Sequence, residues 1–225
     1  METGTLYVVA TPIGNLEDMT LRAIRVCKEV DYILCEDTRV TGKLLKHYDI
    51  KSKLVRYDAH SSEKLQETIV GDLRMGKHIA LCSDAGTPGI SDPGVHLIAQ
   101  LRALDSGINV VAVPGASSLT AAFSIAGISG NQFTFLGFIP HKKGRKTLFE
   151  SLANYSHPTI FFESTHRIMK TLNSLSETVP SKRVTIAREI TKLHEEVVTG
   201  SPQEVIEYFQ THTDHQKGEF VVIVH

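Results

Sequence analysis

No run of apolar residues in this 225-residue chain approaches the ~20 that a membrane-spanning helix needs, so a protein of that kind is not expected. The first residues, Met1-Glu2-Thr3-Gly4, lack the basic leader and small-residue cleavage site of a signal peptide, and the expected location is cytoplasmic. Cysteine is scarce. Cys27, Cys35 and Cys82 cannot all pair within one chain, and no two have metal-ligand spacing; they read as buried thiols in a reducing compartment. The histidines suggest no metal site, and none is expected. Neither sign of charge is in excess, with 24 Lys and Arg against 25 Asp and Glu. A nucleic-acid binder of this composition must gather its positive charge locally, so the position of basic clusters matters more than the total. Internal repeats, low-complexity segments and long linkers are absent.

What is present suits an ordinary globular chain, 41% hydrophobic and 22% charged, long enough for one large domain or two small ones. Up to residue 113, apolar runs at 6–10, 32–35, 53–57, 78–82 and 109–113 read as strands. Helical spacing separates them at 20–29, through Leu44, Leu45 and Tyr48, at 62–75 and at 93–106. The runs are almost continuously apolar, which suits a parallel sheet covered on both faces. After a small-residue helix at 118–125 the rhythm changes. Strands are expected at 133–136, 159–162, 184–187, 196–199 and 220–224, with 137–145 as a loop and helices around Leu148 and Leu152 and over 168–175. Ser201-Pro202-Gln203-Glu204 is a capping box with Pro at the first helical position and predicts a helix to Gln210. The expectation is α/β with a mostly parallel sheet in an N-terminal domain, 1–114, and a mixed sheet in a C-terminal domain, 115–225.

Four strand-tip loops fall where open parallel sheets bind ligands. Ala10–Asp18 contains Pro12, Ile13 and Gly14, and it is not GxGxxG, which disfavours the usual dinucleotide fold. Cys35–Arg39 sets Glu36, Asp37, Thr38 and Arg39 directly after a strand; capping by Asp37 and pairing of Arg39 with an acid is the local alternative. Ser83–Gly94 holds three glycines, two prolines and two aspartates. Its glycines let a ligand approach the backbone, and an Asp can bind an ammonium or ribose hydroxyls. Asp92-Pro93 has the form of a helix start, whereas Asp84 has no such local role. Val113–Ser118 leaves room for a flat group, with Ser117 and Ser118 as hydroxyl donors or helix caps.

Val9–Asp18, Glu36–Arg39, Ser83–Gly94, Val113–Ser118, Gly137–Pro140, Phe161–Ile168 and Ala187–Glu196 stand in the order of one family. The chain resembles, over essentially its whole length, the bacterial small-subunit (16S) ribosomal RNA cytidine 2′-O-methyltransferases of the tetrapyrrole-methylase (class III) superfamily. The resemblance implies two α/β domains, a homodimer, and S-adenosylmethionine held in the cleft between the domains. It implies donor contacts at Pro12, Ile13, Asp84, Gly86, Thr87, Ile90, Ser117, Ser118, Phe162 and Ala187. It also implies a cytidine ribose in the decoding region as acceptor, within 16S rRNA of the small ribosomal subunit. Many members carry a helical extension after the last strand; this sequence ends at Val224-His225, and weaker RNA affinity is expected of it.

His141–Lys146 is the densest basic cluster, and Lys142, Lys143, Arg145 and Lys146 are the expected phosphate contacts, joined by Arg39, Lys43, His60 and Arg167. Methyl transfer needs an in-line oxygen about 3 Å from the methyl carbon and a dry site. A ribose hydroxyl is a weak acid, so a base should assist. Asp37, Glu163 and His60 are candidates, with Arg39 or Arg167 stabilising the developing alkoxide. Two other readings remain: a methyltransferase acting on a small tetrapyrrole-like substrate, and a ribosome-assembly factor that binds RNA without catalysis.

Overall fold

Five apolar runs become strands of one wholly parallel sheet: β1 (Thr5–Val9), β2 (Tyr32–Cys35), β3 (Leu54–Arg56), β4 (Ile79–Cys82) and β5 (Asn109–Val113). Their spatial order is β3-β2-β4-β1-β5. The computed structural model describes residues 3–90, 92, 94–104 and 107–225. It divides into two compact units, Met1–Ser117 and Ser118–His225.

Four helices connect the strands of the first unit. Short polar side chains start three of them, by accepting an otherwise unpartnered backbone N–H. Thr20 accepts from Ala23 ahead of α1 (Leu21–Glu29), Asp37 from Arg39 at α2 (Thr38–His47), and Ser62 from Leu65 at α3 (Glu63–Arg74). The fourth, α4, spans Gly94–Ala103; Ser91, Pro93, Asp105 and Ser106 of the expected loop and helix lie outside the described residues. Helices α1 and α2 bury Ala23, Val26, Leu44 and Leu45 against Val9, Ile33 and Ala80. Helices α3 and α4 bury Ile69, Leu73, Leu97 and Leu101 against Leu6, Leu34, Ile79 and Leu81. Successive strand residues thus point into two different cores, which is why these runs are apolar without alternation.

The second unit has a mixed sheet, as expected. Its strands are β6 (Thr134–Phe138), β7 (Thr159–Ser164), β8 (Val184–Arg188), β9 (Glu196–Gly200) and β10 (Glu219–Val224), in the order β6-β7-β10-β8-β9. Only β6 and β7 run parallel. Phe161, Ile186, Phe220 and Val222 face a core shared with α6 (Arg145–Ser151), α7 (Ile168–Thr178) and α8 (Pro202–Thr211). Helix α5 (Ser118–Ile125) packs near β10. The capping box at Ser201 and Glu204 is complete. The expected loop at 137–145 is shorter than predicted. Gly137 and Phe138 extend β6 through a register irregularity, with Gly137 at φ +65°, and Arg145 opens α6. Among the described residues no helix is long and apolar enough to cross a membrane.

Candidate functional site

Strands β1 and β4 are neighbours, but the chain leaves β1 through α1 towards β2 and leaves β4 through α4 towards β5, on opposite faces of the sheet. Diverging connections of this kind open a crevice beyond the carboxyl ends of the two strands. Three loops meet there within the first unit. Thr11 and Gly86 exchange backbone hydrogen bonds of 3.0 and 3.1 Å. The buried Thr11 hydroxyl donates to the Ser83 carbonyl at 3.1 Å, and the Ser83 hydroxyl to the Gly86 carbonyl at 2.9 Å. Thr87 Oγ1 then donates to the Ala116 carbonyl at 3.0 Å. Pro12, Ile13, Asp84, Gly86, Thr87 and the Ala116-Ser117 turn are therefore parts of one structure. Thr11 and Ser83, to which the sequence alone assigns no role, are its internal ties. Ile90 is exposed further along the same loop.

Gly86 sits at φ +83°, and a Cβ placed there would lie 3.1 Å from Ile13 Cγ2. Replacing it with Ala forces an L-residue into left-handed backbone. A loss of about 1–2 kcal/mol is expected from the conformation alone, checked by urea unfolding.

At the tip of β2 the local alternative holds. Asp37 caps α2 and clasps Arg39 with both oxygens, at 3.0 Å to Nε and 2.6 Å to Nη2. Those bonds hold the Asp37 carboxyl well below the usual carboxylate range, which makes it a poor proton acceptor. Asp84 Oδ1 accepts the Asp37 backbone N–H at 3.1 Å, tying the β4 loop to this tip. Glu36, passed over in the sequence, differs from Asp37. Burial, with the Asp84 and Asp92 carboxylates close by, raises its carboxyl, and the Asp84 backbone N–H partly offsets this. Asp92 accepts from Gly89 and, at 2.9 Å, from Gly94 at the start of α4.

In the second unit Phe162 and Ala187 are brought together. Both stand opposite Val221 of β10, so the three form a row across β7, β10 and β8. Phe135 and Phe138 pack edge-on to Phe162 at 5.0 and 5.3 Å. Ser118 opens α5. Glu163 cannot join this row, because alternation along β7 turns it to the opposite face with Phe161. Its carboxylate is fully buried there. It accepts from the Ser164 N–H at 2.7 Å and from Thr171 Oγ1 at 2.7 Å, and it forms ion pairs with Arg167 Nε at 2.7 Å and Arg145 Nη1 at 3.8 Å. The expectation of a catalytic Glu163 is therefore corrected: the group is enclosed and saturated with partners.

Two expected RNA contacts are corrected for the same reason. Arg145 is buried; its Nη2 donates to Thr171 Oγ1 at 2.8 Å and its guanidinium lies 4.8 Å from the Phe149 ring centre. Burial lowers its pKa. Arg167 is mostly enclosed, with Nη1 on the Ile139 carbonyl at 2.8 Å. Lys142, Lys143 and Lys146 are exposed, as are Arg39, Lys43 and His60. His60 donates its backbone N–H to Asp58, which also pairs with Arg56 at 2.7 Å. One histidine pattern was missed: His212 and His215 stand three apart. Here they pack on Tyr208, and His215 Nδ1 bonds Glu196 at 3.0 Å. Among the described residues no group of three or more side chains could hold a metal ion.

The sequence profile of the tetrapyrrole (corrin/porphyrin) methylases matches residues 5–206. A Halalkalibacterium halodurans protein named ribosomal RNA small subunit methyltransferase I is 45% identical over 224 residues, 99% of this chain and 76% of its own length. The Thermotoga maritima protein of that name is 44% identical over 221 residues, 98% of each chain. In three dimensions the chain is similar to uroporphyrin-III C-methyl transferase from Thermus thermophilus complexed with S-adenyl homocysteine. The TM-score is 0.63 at 19% identity, over 98% of this chain and 97% of the other, a likeness of fold. The chain belongs to the tetrapyrrole (corrin/porphyrin) methylase family and groups there with the proteins named ribosomal RNA small subunit methyltransferase I.

Proposed function

We infer that this chain is an S-adenosylmethionine-dependent methyltransferase of small-subunit ribosomal RNA, and that the methyl goes to the 2′ oxygen of a cytidine in the decoding region. The observation that carries the donor site is the knitting of the β1, β4 and β5 loops through Thr11, Gly86 and Ala116. The residues present fit the donor: a Cβ at Gly86 would crowd Ile13, so the backbone is bare where a flat group approaches, and the exposed Asp84 carboxylate suits an ammonium or ribose hydroxyls. When bound, the donor supplies a methyl carbon already activated by its sulfonium.

The protein's own part is placement. Asp84 and the Gly86–Thr87 backbone orient the donor, and exclusion of water protects the in-line approach. Arg39, held by Asp37 yet 86% exposed at its side chain, offers positive charge to the developing alkoxide. Lys142, Lys143 and Lys146 neutralise phosphates and carry no sequence information, and the target nucleotide enters unpaired or flipped. The reading includes a homodimer working in the cytoplasm.

Purified protein incubated with methyl-labelled donor and small ribosomal subunits is expected to label one cytidine ribose, located by mass spectrometry of nuclease fragments. Labelling of a porphyrinoid instead would favour the small tetrapyrrole-like substrate. Donor-independent RNA binding with no rise in melting temperature on adding S-adenosylmethionine would favour the assembly factor.

A further inference from the structure

The buried cluster in the second unit has two basic members and one acid, and it lies at both ends of the basic loop. The loop leaves β6 at Ile139, runs through Pro140, His141, Lys142, Lys143 and Gly144, and enters α6 at Arg145. Its first end is held by Arg167, whose Nη1 donates to the Ile139 carbonyl at 2.8 Å while its Nε contacts Glu163 Oε1 at 2.7 Å. Its last end is held by Arg145. That guanidinium reaches Thr171 Oγ1 at 2.8 Å, and Thr171 in turn donates to Glu163 Oε2 at 2.7 Å. Arg145 Nη1 lies 3.8 Å from the same oxygen, an ion-pair distance too long for a hydrogen bond, and Nη1 and Nε have no hydrogen-bond partner. Between these two anchors His141, Lys142 and Lys143 are exposed.

Gathering one buried and one largely enclosed guanidinium group on a buried carboxylate is an expensive way to stabilise a fold, since an apolar cluster of similar volume often does as well or better. What it supplies is position: two separated points of the chain are referred to one rigid acceptor on β7. We propose that Glu163 is a positioning residue that presets the Pro140–Gly144 loop, so that Lys142 and Lys143 meet successive phosphates of the RNA without first being ordered. The proposal rests on the reading of this loop as an RNA contact. Its benefit is lower ordering cost at binding.

The test compares the full chain with Glu163→Gln, Thr171→Val and the double variant Lys142→Ala/Lys143→Ala. Affinity for small ribosomal subunits is measured over a range of salt, and S-adenosylmethionine affinity by calorimetry. For Glu163→Gln the expected result is about tenfold weaker RNA binding, a salt slope shallower by about 1.4 if two single-strand phosphate contacts are lost, and donor affinity within about twofold of the parent. Thr171→Val, which removes only the hydroxyl linking Arg145 to Glu163, shows the same pattern to a smaller degree and serves if Glu163→Gln does not fold. Glu163→Asp restores part of the slope. If the lysine pair weakens RNA binding while Glu163→Gln and Thr171→Val leave affinity and slope unchanged, the positioning role is wrong and the loop contact stands. If the lysine pair binds RNA like the parent, the loop contact itself is wrong and the positioning role falls with it. Equal losses of donor and RNA affinity in Glu163→Gln also overturn the proposal, because they indicate general disruption.

Discussion

Asp84→Ala is expected to weaken S-adenosylmethionine binding by at least about 100-fold in calorimetry. That corresponds to about 2.8 kcal/mol, the scale of one or two hydrogen bonds to a charged group. Most of the loss is expected to come from the ligand rather than the fold. Within the protein the Asp84 side chain is tied lightly: Oδ1 accepts the Asp37 backbone N–H at 3.1 Å, in an exposed setting. The neighbouring loop is held independently by Thr11, Ser83 and Thr87. Asp84→Asn separates the two roles: it keeps an oxygen for the Asp37 N–H and removes the negative charge. Binding lost in both variants with melting temperatures near the parent assigns the charge to the donor. Unchanged donor affinity in Asp84→Ala would remove Asp84 from the site.

Glu163→Ala is expected to cost about 3–5 kcal/mol of folding stability, because it leaves the buried Arg145 and the largely enclosed Arg167 guanidinium groups without their shared acid. The cost is that of uncompensated charge, so it exceeds what the lost contacts alone would give. Chemical denaturation of the second unit's transition is the measurement, and a loss below about 1 kcal/mol would show that water reaches Arg145 and Arg167 readily. In the catalytic reading of Glu163 the same change would have reduced turnover in a stable protein. The two accounts thus predict opposite results in a urea titration.

Much of the fold was legible for a simple reason. Strands buried on both faces leave unbroken apolar runs, and β2 and β5 fall on the residues expected. Helices begin where Thr20, Asp37, Ser62 and Ser201 accept backbone N–H groups, and those residue types announce the start. Strand order was not legible. Nothing local in Leu6 says that its partners are Ile79 and Val110. The loops were visible as unusual stretches, but the Thr11–Gly86 pairing that joins them is a long-range event with no periodic signature. Glu163 shows the opposite case. Strand alternation already forbids Phe162 and Glu163 from sharing a face, and the apolar stretch 159–162 concealed which face was outward. Arg145 misled because a basic residue in a basic run reads as solvated. Its burial follows from Thr171 and Glu163, which are distant in sequence.

The order β3-β2-β4-β1-β5 also governs how the first unit can come into being. The strand synthesised first is bordered on one side by the fourth and on the other by the fifth, so a nascent chain carries β1 with neither edge satisfied until β4 has been made, and with one edge open until the crossover through α4 is complete. Pairings at such sequence separation are slow, since loop closure must precede any reward from contact. The β2–α2–β3 segment can assemble early, while the crevice beside Thr11 and Gly86 takes shape only with the last step of the sheet. Competence to hold a ligand there is therefore a late property of the maturing polypeptide, and an incomplete chain ending before β5 would display an adhesive strand edge in its place.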